Sequence, residues 1–318
     1  MPELPDITVY IRALNEKIMN RKLIGIRIAS PFVLRTVTPP VSEMAGKTVT
    51  EIRRLGKQIV LRLGEPDESR TLFVVIHLMI AGRLHWKPVG AKLPGKLALA
   101  AFDFDNGTLM FTEAGTKKRA SLHLAEGEGE LTRYDRGGLD LLSADAGAFA
   151  QALRRENHTI KRALTDPNVL SGVGNAYSDE ILHRAQMSPF KQTRQISEDE
   201  YGQLLAAAKE VMLWWIERLD AERNGSFPEK VTAFRPEMAV HGKYGKPCPV
   251  CGDMVQRISY ADNEANYCVT CQTGGKLLAD RGLSRLLKSD WPKNLAELEA
   301  IRSGAHNNTG KHAPEPSD

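Results

Sequence analysis

The sequence predicts an α+β protein: an N-terminal β-sandwich domain with a leading helix, then a helical domain that ends in a metal-holding β-hairpin. Three observations carry this. Ile7, Tyr10, Ile11, Leu14 and Ile18 keep helical spacing at the start of the chain. Residues 22–124 hold several short apolar or alternating runs between turn signals, as in a sandwich or flattened barrel. All four cysteines fall in one short stretch, as two C-x2-C pairs.

The elements follow in order. Pro5 suits the first turn of the leading helix, where its missing N–H costs nothing, and the helical pattern runs to Asn20. Residues 22–30 alternate like a half-buried strand, and residues 48–63 read as two strands broken near Gly56. Residues 71–86 form one longer strand-rich run. Residues 97–104 and 108–111 flank Asp105-Asn106-Gly107, a hairpin turn signal. The composition changes after Leu124, through a Glu/Gly stretch and Asp135-Arg136-Gly137-Gly138. Helices are expected at 149–155, 159–164, 176–185 and 197–219, the last opened by a Ser197–Glu200 capping box. A short helix is expected at 294–301, followed by a disordered tail. The expected parts are therefore residues 1–135, 136–235, 236–275 and a C-terminal extension, 276–318.

Composition narrows the class. A chain of 318 residues is long enough for about two domains. Its 42% hydrophobic and 26% charged content is ordinary for a soluble globular protein. The net charge of +4 suits a polyanion partner and equally a slightly basic enzyme. Clustered cysteines argue for metal and a reducing cytoplasm rather than a disulfide framework. The start lacks a basic and then apolar leader, and no apolar run approaches a membrane span, so neither a signal peptide nor a membrane role is expected.

Three stretches carry chemistry. Met1 before a small Pro2 suits methionine removal, which would leave a secondary amine beside Glu3. An α-amino group has a pKa of about 8 against about 10.4 for lysine, and free amines attack carbonyl-like carbons. The helix dipole would disfavour the ammonium form. The same residues also read simply as a helix start. Second, Cys248, Cys251, Cys268 and Cys271 would give four thiolates to one structural zinc, with no open position for catalysis. Lys243, Lys246 and Arg257 give this hairpin basic flanks suited to nucleic acid. Third, Gly172-Val173-Gly174 precedes a helix whose free N–H groups suit phosphate. Asn175 stands at the expected N-cap, and a plain helix corner with an Asn cap remains the other reading.

PELP at the N-terminus, a β-rich first half, TIK…GVGNAYSDEILHRA and a four-cysteine hairpin occur in that order. Together they resemble the formamidopyrimidine-DNA glycosylase/endonuclease VIII family over about residues 1–273, with a helix-two-turn-helix in the helical part. The resemblance implies a bifunctional DNA glycosylase and AP lyase of base excision repair, working on damaged double-stranded DNA as a monomer. Pro2 would attack C1′ of the flipped nucleotide, Glu3 would protonate the ring oxygen, and Lys57 and Asn175 would hold phosphates. Lys161, in the TIK segment, and His77 and Ile80, in the strand end HLMIAGRL, fall among the implied DNA-binding positions.

The chain also departs from the family pattern. Asn263 replaces an arginine of the finger hairpin, which Arg257 would have to offset. Ile80 takes the place of a methionine that fills the hole left by the flipped base. Glu113-Ala-Gly-Thr-Lys117-Lys118-Arg119 replaces a loop with a phenylalanine wedge, keeping three basic residues. Asp6 stands where the family has Glu. These departures leave lesion choice open. They also keep a second class in play, a catalytically weak protein of this fold that senses damaged DNA.

Overall fold

The computed structural model describes residues 1–64, 70–259, 264–279, 285–288 and 291–303. Helix α1 spans Leu4–Ile18, with Pro5 in its first turn. Eight antiparallel strands follow in two four-stranded sheets. They are β1 (Leu23–Ile28), β2 (Val49–Leu55), β3 (Gln58–Leu63), β4 (Leu72–His77), β5 (Gly82–Lys87), β6 (Ala98–Phe104), β7 (Gly107–Glu113) and β8 (Ser121–Glu126). One sheet has the order β1-β6-β7-β5 and the other β2-β3-β4-β8.

Residues 71–86, read as one run, are two strands in different sheets. The turn at residues 78–81 breaks them: Met79 is left-handed at φ 51°, and Gly82 lies so close to Leu78 that a Cβ would meet its carbonyl oxygen at 2.3 Å. The run looked continuous because β4 is buried on both faces, which removes alternation. Val74 and Ile76 face the main core. Phe73 and Val75 face a second layer with Leu131, from helix α2 (Gly127–Leu131).

Leading helix α1 has two working faces. Ile7, Tyr10, Leu14 and Ile18 enter the core between the sheets. Leu4 and Val9 enter the core of the helical half. That half begins with β9 (Leu139–Asp140), which pairs in parallel with β10 (Leu170–Ser171). Its helices are α3 (Ala146–Arg154), α4 (Ile160–Thr165), α5 (Asn175–Arg184) and α6 (Glu198–Arg223). The Ser197–Glu200 capping box opens α6 as expected. Residues 224–238 then form a strap back across the sandwich, and its Phe227 and Val231 join the main core.

The finger hairpin is β11 (Gln256–Ser259) paired with β12 (Glu264–Tyr267), followed by α7 (Val269–Thr273). A last helix, α8 (Leu295–Arg302), is capped by Asn294. Its Leu295 and Leu298 pack with Trp291 against Ile258 and Tyr267, so part of the extension covers the back of the finger. The tail expected to be disordered lies outside the described residues. Among the described residues no helix is long and apolar enough to cross a membrane.

Candidate active site

Because α1 is shared by both cores, its N-terminus lies at the junction of the two halves. Leu4 N–H donates to Gly172 O at 2.9 Å and ties the start of the chain to the glycine turn before α5. Glu3 is 2% exposed. Its carboxylate accepts N–H groups from Gly174 (2.6 Å), Ala176 (2.9 Å) and Tyr177 (3.3 Å). The free N–H groups at the start of α5 are therefore real, but Glu3 holds them rather than a phosphate. The N-cap is Gly174, not Asn175. A side chain there would collide, since a Cβ on Gly174 would lie 2.5 Å from Glu3 Cδ and 2.8 Å from Lys57 Nζ.

Lys57 follows Gly56 in the β2–β3 turn, where Gly56 takes φ 61°. Burial lowers the Lys57 pKa, with Glu3 acting the other way. Arg54 fixes this turn from below. Its guanidinium donates to Gly56 O at 2.9 Å and Ser171 Oγ at 3.1 Å, and it pairs with Asp140. Arg54 thus clamps the Lys57 turn to the β9–β10 pair.

With Met1 in place, the terminal amine belongs to Met1 and Pro2 is buried behind it. Burial lowers the pKa of this amine first; Arg83 and Lys57 push the same way, against Glu3 and Asp6. Desolvation is the leading cause. Asp6 accepts Glu3 N–H at 2.9 Å, and its other oxygen has no partner among the described protein atoms. Burial pushes its pKa up to about 6.

His77 ends β4. Burial brings its pKa down to about 4, with Lys57, His123 and Arg136 adding to the shift, so it is neutral at pH 7 and offers no cation. Ile80 is 58% exposed at the tip of the next turn. Glu113 accepts the Arg119 and Ala120 N–H groups at 3.0–3.3 Å and pins both ends of the basic loop. Lys117, Lys118 and Arg119 are exposed there, with Lys118 also bonded to Glu113 O.

Lys161 corrects a sequence expectation. It is 8% exposed and bonds Asp179 (2.5 Å), Asn175 O (2.7 Å) and Ser178 Oγ (2.8 Å). The ammonium serves the interior of the helical half. Asn175 donates its amide to Glu264 O at 2.9 Å, joining α5 to the finger. Both line a groove of about 730 Å³ with His158, Arg162, Gln192 and Ile258. Arg257 lies over the Tyr244 ring at 4.5 Å and 3.5 Å from Glu264. Asn263 lies outside the described residues.

The four cysteine sulfurs lie within 4.8 Å of one another. Cys251 and Cys268 are 3.3 Å apart and Cys248 and Cys271 3.9 Å, against about 3.8 Å around a tetrahedral Zn²⁺ with Zn–S near 2.3 Å. They fit one structural zinc. Cys248 Sγ also lies 3.3 Å from His183 Nε2 on α5, an outer contact of the kind that orients a ligand.

Several of these pairings gave no sequence signal. Arg54 meets Asp140 and Ser171, and Asp179, inside the quoted helix motif, meets His241, partners distant in sequence. A basic residue beside a Gly-Lys turn would have been the one clue to Arg54.

An N-terminal carboxyl and lysine between a sandwich and a helical domain, with a four-cysteine finger beyond, define a class of DNA glycosylase. Residues 1–119 match the formamidopyrimidine-DNA glycosylase N-terminal domain, residues 138–223 the H2TH domain of the same enzymes, and residues 245–274 the zinc finger found in FPG and IleRS. An uncharacterized formamidopyrimidine-DNA glycosylase-like protein of Mycobacterium tuberculosis is 43% identical over 152 residues, 48% of this chain and 94% of that protein. The formamidopyrimidine-DNA glycosylase of Mycolicibacterium vanbaalenii is 30% identical over 297 residues, covering 86% of this chain and 98% of its own. The Lactococcus lactis Fpg in complex with an abasic site containing DNA superposes with a TM-score of 0.74 at 25% identity, covering 85% of this chain and 99% of that one. The chain belongs to the formamidopyrimidine-DNA glycosylase family, DNA glycosylases of base excision repair.

Proposed function

We propose that the chain is a bifunctional DNA glycosylase and AP lyase that works through a Schiff base on Pro2 after Met1 is removed. The observation that carries this is the Glu3 carboxyl, held by three backbone N–H groups beside Lys57 and one residue from the amine. An amine, a carboxyl and a cation at one junction form a complete set for the reaction.

The damaged nucleotide leaves the stack so that its C1′ is reachable. The Pro2 nitrogen attacks C1′ and the C1′–N bond to the base breaks, the departing base taking up the proton that the Pro2 nitrogen gives up; Glu3, acting in its protonated form, then passes its proton to the ring oxygen as the sugar opens to the iminium. The iminium then acidifies C2′. Loss of that proton expels the 3′ phosphate by β-elimination, and water returns the amine. Lys57 holds a backbone phosphate beside the lesion, and the basic loop and Arg257 hold others. Zinc, when bound, keeps the finger hairpin folded.

One chain spans one lesion, so the working form is a monomer, placed in the cytoplasm. We assign residues 1–135 to the catalytic domain, 136–235 to the helical domain and 236–275 to the finger.

The test is borohydride trapping on a duplex with an AP site, comparing methionine-processed protein with a form carrying one extra residue before Pro2. A covalent complex that the extra residue abolishes is expected. Equal trapping by both forms would remove Pro2 from the reaction.

A further inference from the structure

The finger hairpin stands on two separate supports. One is the metal side, where Val240 and Val255 pack with Cys248 and Cys268. The other is a distinct apolar cluster. In it Ile258 of β11, Tyr267 of β12 and Val269 of α7 are each at most 1% exposed. Two short strands have little interior of their own. These three side chains are covered by Leu277, Leu278, Trp291, Leu295 and Leu298 of the extension and by Phe190 of the helical half.

Hydrogen bonds fix the cluster. Tyr267 Oη accepts Leu278 N–H at 2.9 Å, and Leu277 N–H donates to Lys293 O at 2.8 Å. Asn294 caps α8 by accepting Glu297 N–H at 3.0 Å. Gln272 of α7 donates to Met187 O at 2.9 Å and ties the finger to the turn after α5. The family matches end at residue 274, so the covering leucines and Trp291 lie beyond them. Position matters here because Phe190 and Ile258 also line the groove of about 730 Å³ that holds Asn175 and Gln192. The cluster joins the finger to the helical wall of that groove.

We infer that Trp291, Leu295 and Leu298 form a brace that holds the finger in its DNA-binding position before DNA arrives; the placement of DNA at the finger rests on the glycosylase reading above. Zinc keeps the two cysteine knuckles together, whereas the brace sets where the hairpin stands against the helical half. Without the brace the finger occupies that position for only a fraction of the time. The apparent Kd then rises by the inverse of that fraction. The three residues are positioning residues: they touch the finger, and the finger touches DNA.

The experiment uses the full chain with zinc bound. It compares the unmodified protein with Leu295→Ala/Leu298→Ala, Leu295→Met/Leu298→Met and, as a surface control, Glu299→Gln. The binding probe is a duplex with an uncleavable tetrahydrofuran site. In the alanine pair its Kd should rise about 10-fold, as for a finger in place a tenth of the time. Amide exchange at residues 256–259 and 264–267 should quicken. Zinc content should stay at one per chain, and single-turnover base release at saturating enzyme should hold within about twofold, because saturation restores the bound finger. The methionine pair should restore Kd. Leu298→Ala alone opens a smaller cavity and should show the same pattern in smaller measure, which keeps the test decisive if the pair destabilises the chain. Unchanged Kd and exchange, zinc loss from a folded variant, or a rate loss at saturation would each overturn the brace. Absence of borohydride trapping by the unmodified protein would overturn the Pro2 reaction instead, while Kd and exchange would still decide the brace.

Discussion

Gly174→Ala should separate folding from chemistry. The backbone at Gly174 is extended, φ −134° and ψ −160°, so alanine fits there without strain. Its methyl would nevertheless lie 2.5 Å from Glu3 Cδ, 2.6 Å from Glu3 Oε1 and 2.8 Å from Lys57 Nζ. All three are far ends of flexible side chains, so they move and the backbone stays. The stability cost is then at the low end of overpacking, about 1 kcal/mol. The chemical cost is larger, because Glu3 loses its seat on the Gly174, Ala176 and Tyr177 N–H groups. General acid catalysis contributes at least about 100-fold, or about 2.7 kcal/mol of barrier. Single-turnover base release at saturating enzyme should fall by that much, with a near-normal melt. Gly202→Ala is the control, since a Cβ there meets nothing within 4 Å. Base release within threefold of the unmodified protein would refute the assignment of Glu3.

Other outcomes follow from the same geometry. Asp6 is pushed up from 3.8 to about 6 by burial, so the native state binds more protons than the unfolded chain between those values, and stability falls as pH rises through them. Asp6→Asn should therefore melt above the unmodified protein at pH 7.5, by up to about 3 kcal/mol, with the gap closing by pH 4; a gap independent of pH would count against the shift. Lys161→Met should cost up to about 3–5 kcal/mol by taking the ammonium away from buried Asp179, which keeps only His241 and Asn266 as partners. It should leave the slope of log Kd against log salt unchanged, whereas a loss of about 0.9 would restore Lys161 as a phosphate ligand. Stripping the zinc should open the hairpin and weaken duplex binding; unchanged affinity after verified zinc loss would take the finger out of the DNA interface.

What could be read from the chain was local. The spacing of Ile7, Tyr10, Leu14 and Ile18 gave α1, Asp105-Asn106-Gly107 gave the β6–β7 hairpin, and the two cysteine pairs gave the metal site. What could not be read depends on distance in sequence. Nothing near Glu3 says that its carboxylate ends on α5, or that Arg54 meets Asp140. Lys161 looks like any basic residue beside a helix start, and only the packing of α4 on α5 turns it inward to Asp179. Asn175 has the right chemistry for a cap, but the neighbouring glycine won because Glu3 needs the space.

Helix α5 is only ten residues long, yet three parts of the molecule are measured from it. Its first turn seats Glu3, its middle residues Asp179 and Glu180 grip the segment before the finger, and His183 near its end touches Cys248. A helix turns about 100° per residue. One residue inserted between Ala176 and Asp179 would therefore swing the finger's anchors a quarter-turn and more away from the amine that they now share a frame with. Substitutions along this rod can be many, but its length cannot drift. A finger grafted from a relative would find its place only if it carried the matching half of α5 with it. The cysteine pairs look like a detachable cassette in the sequence; in the folded chain they are indexed to the first three residues.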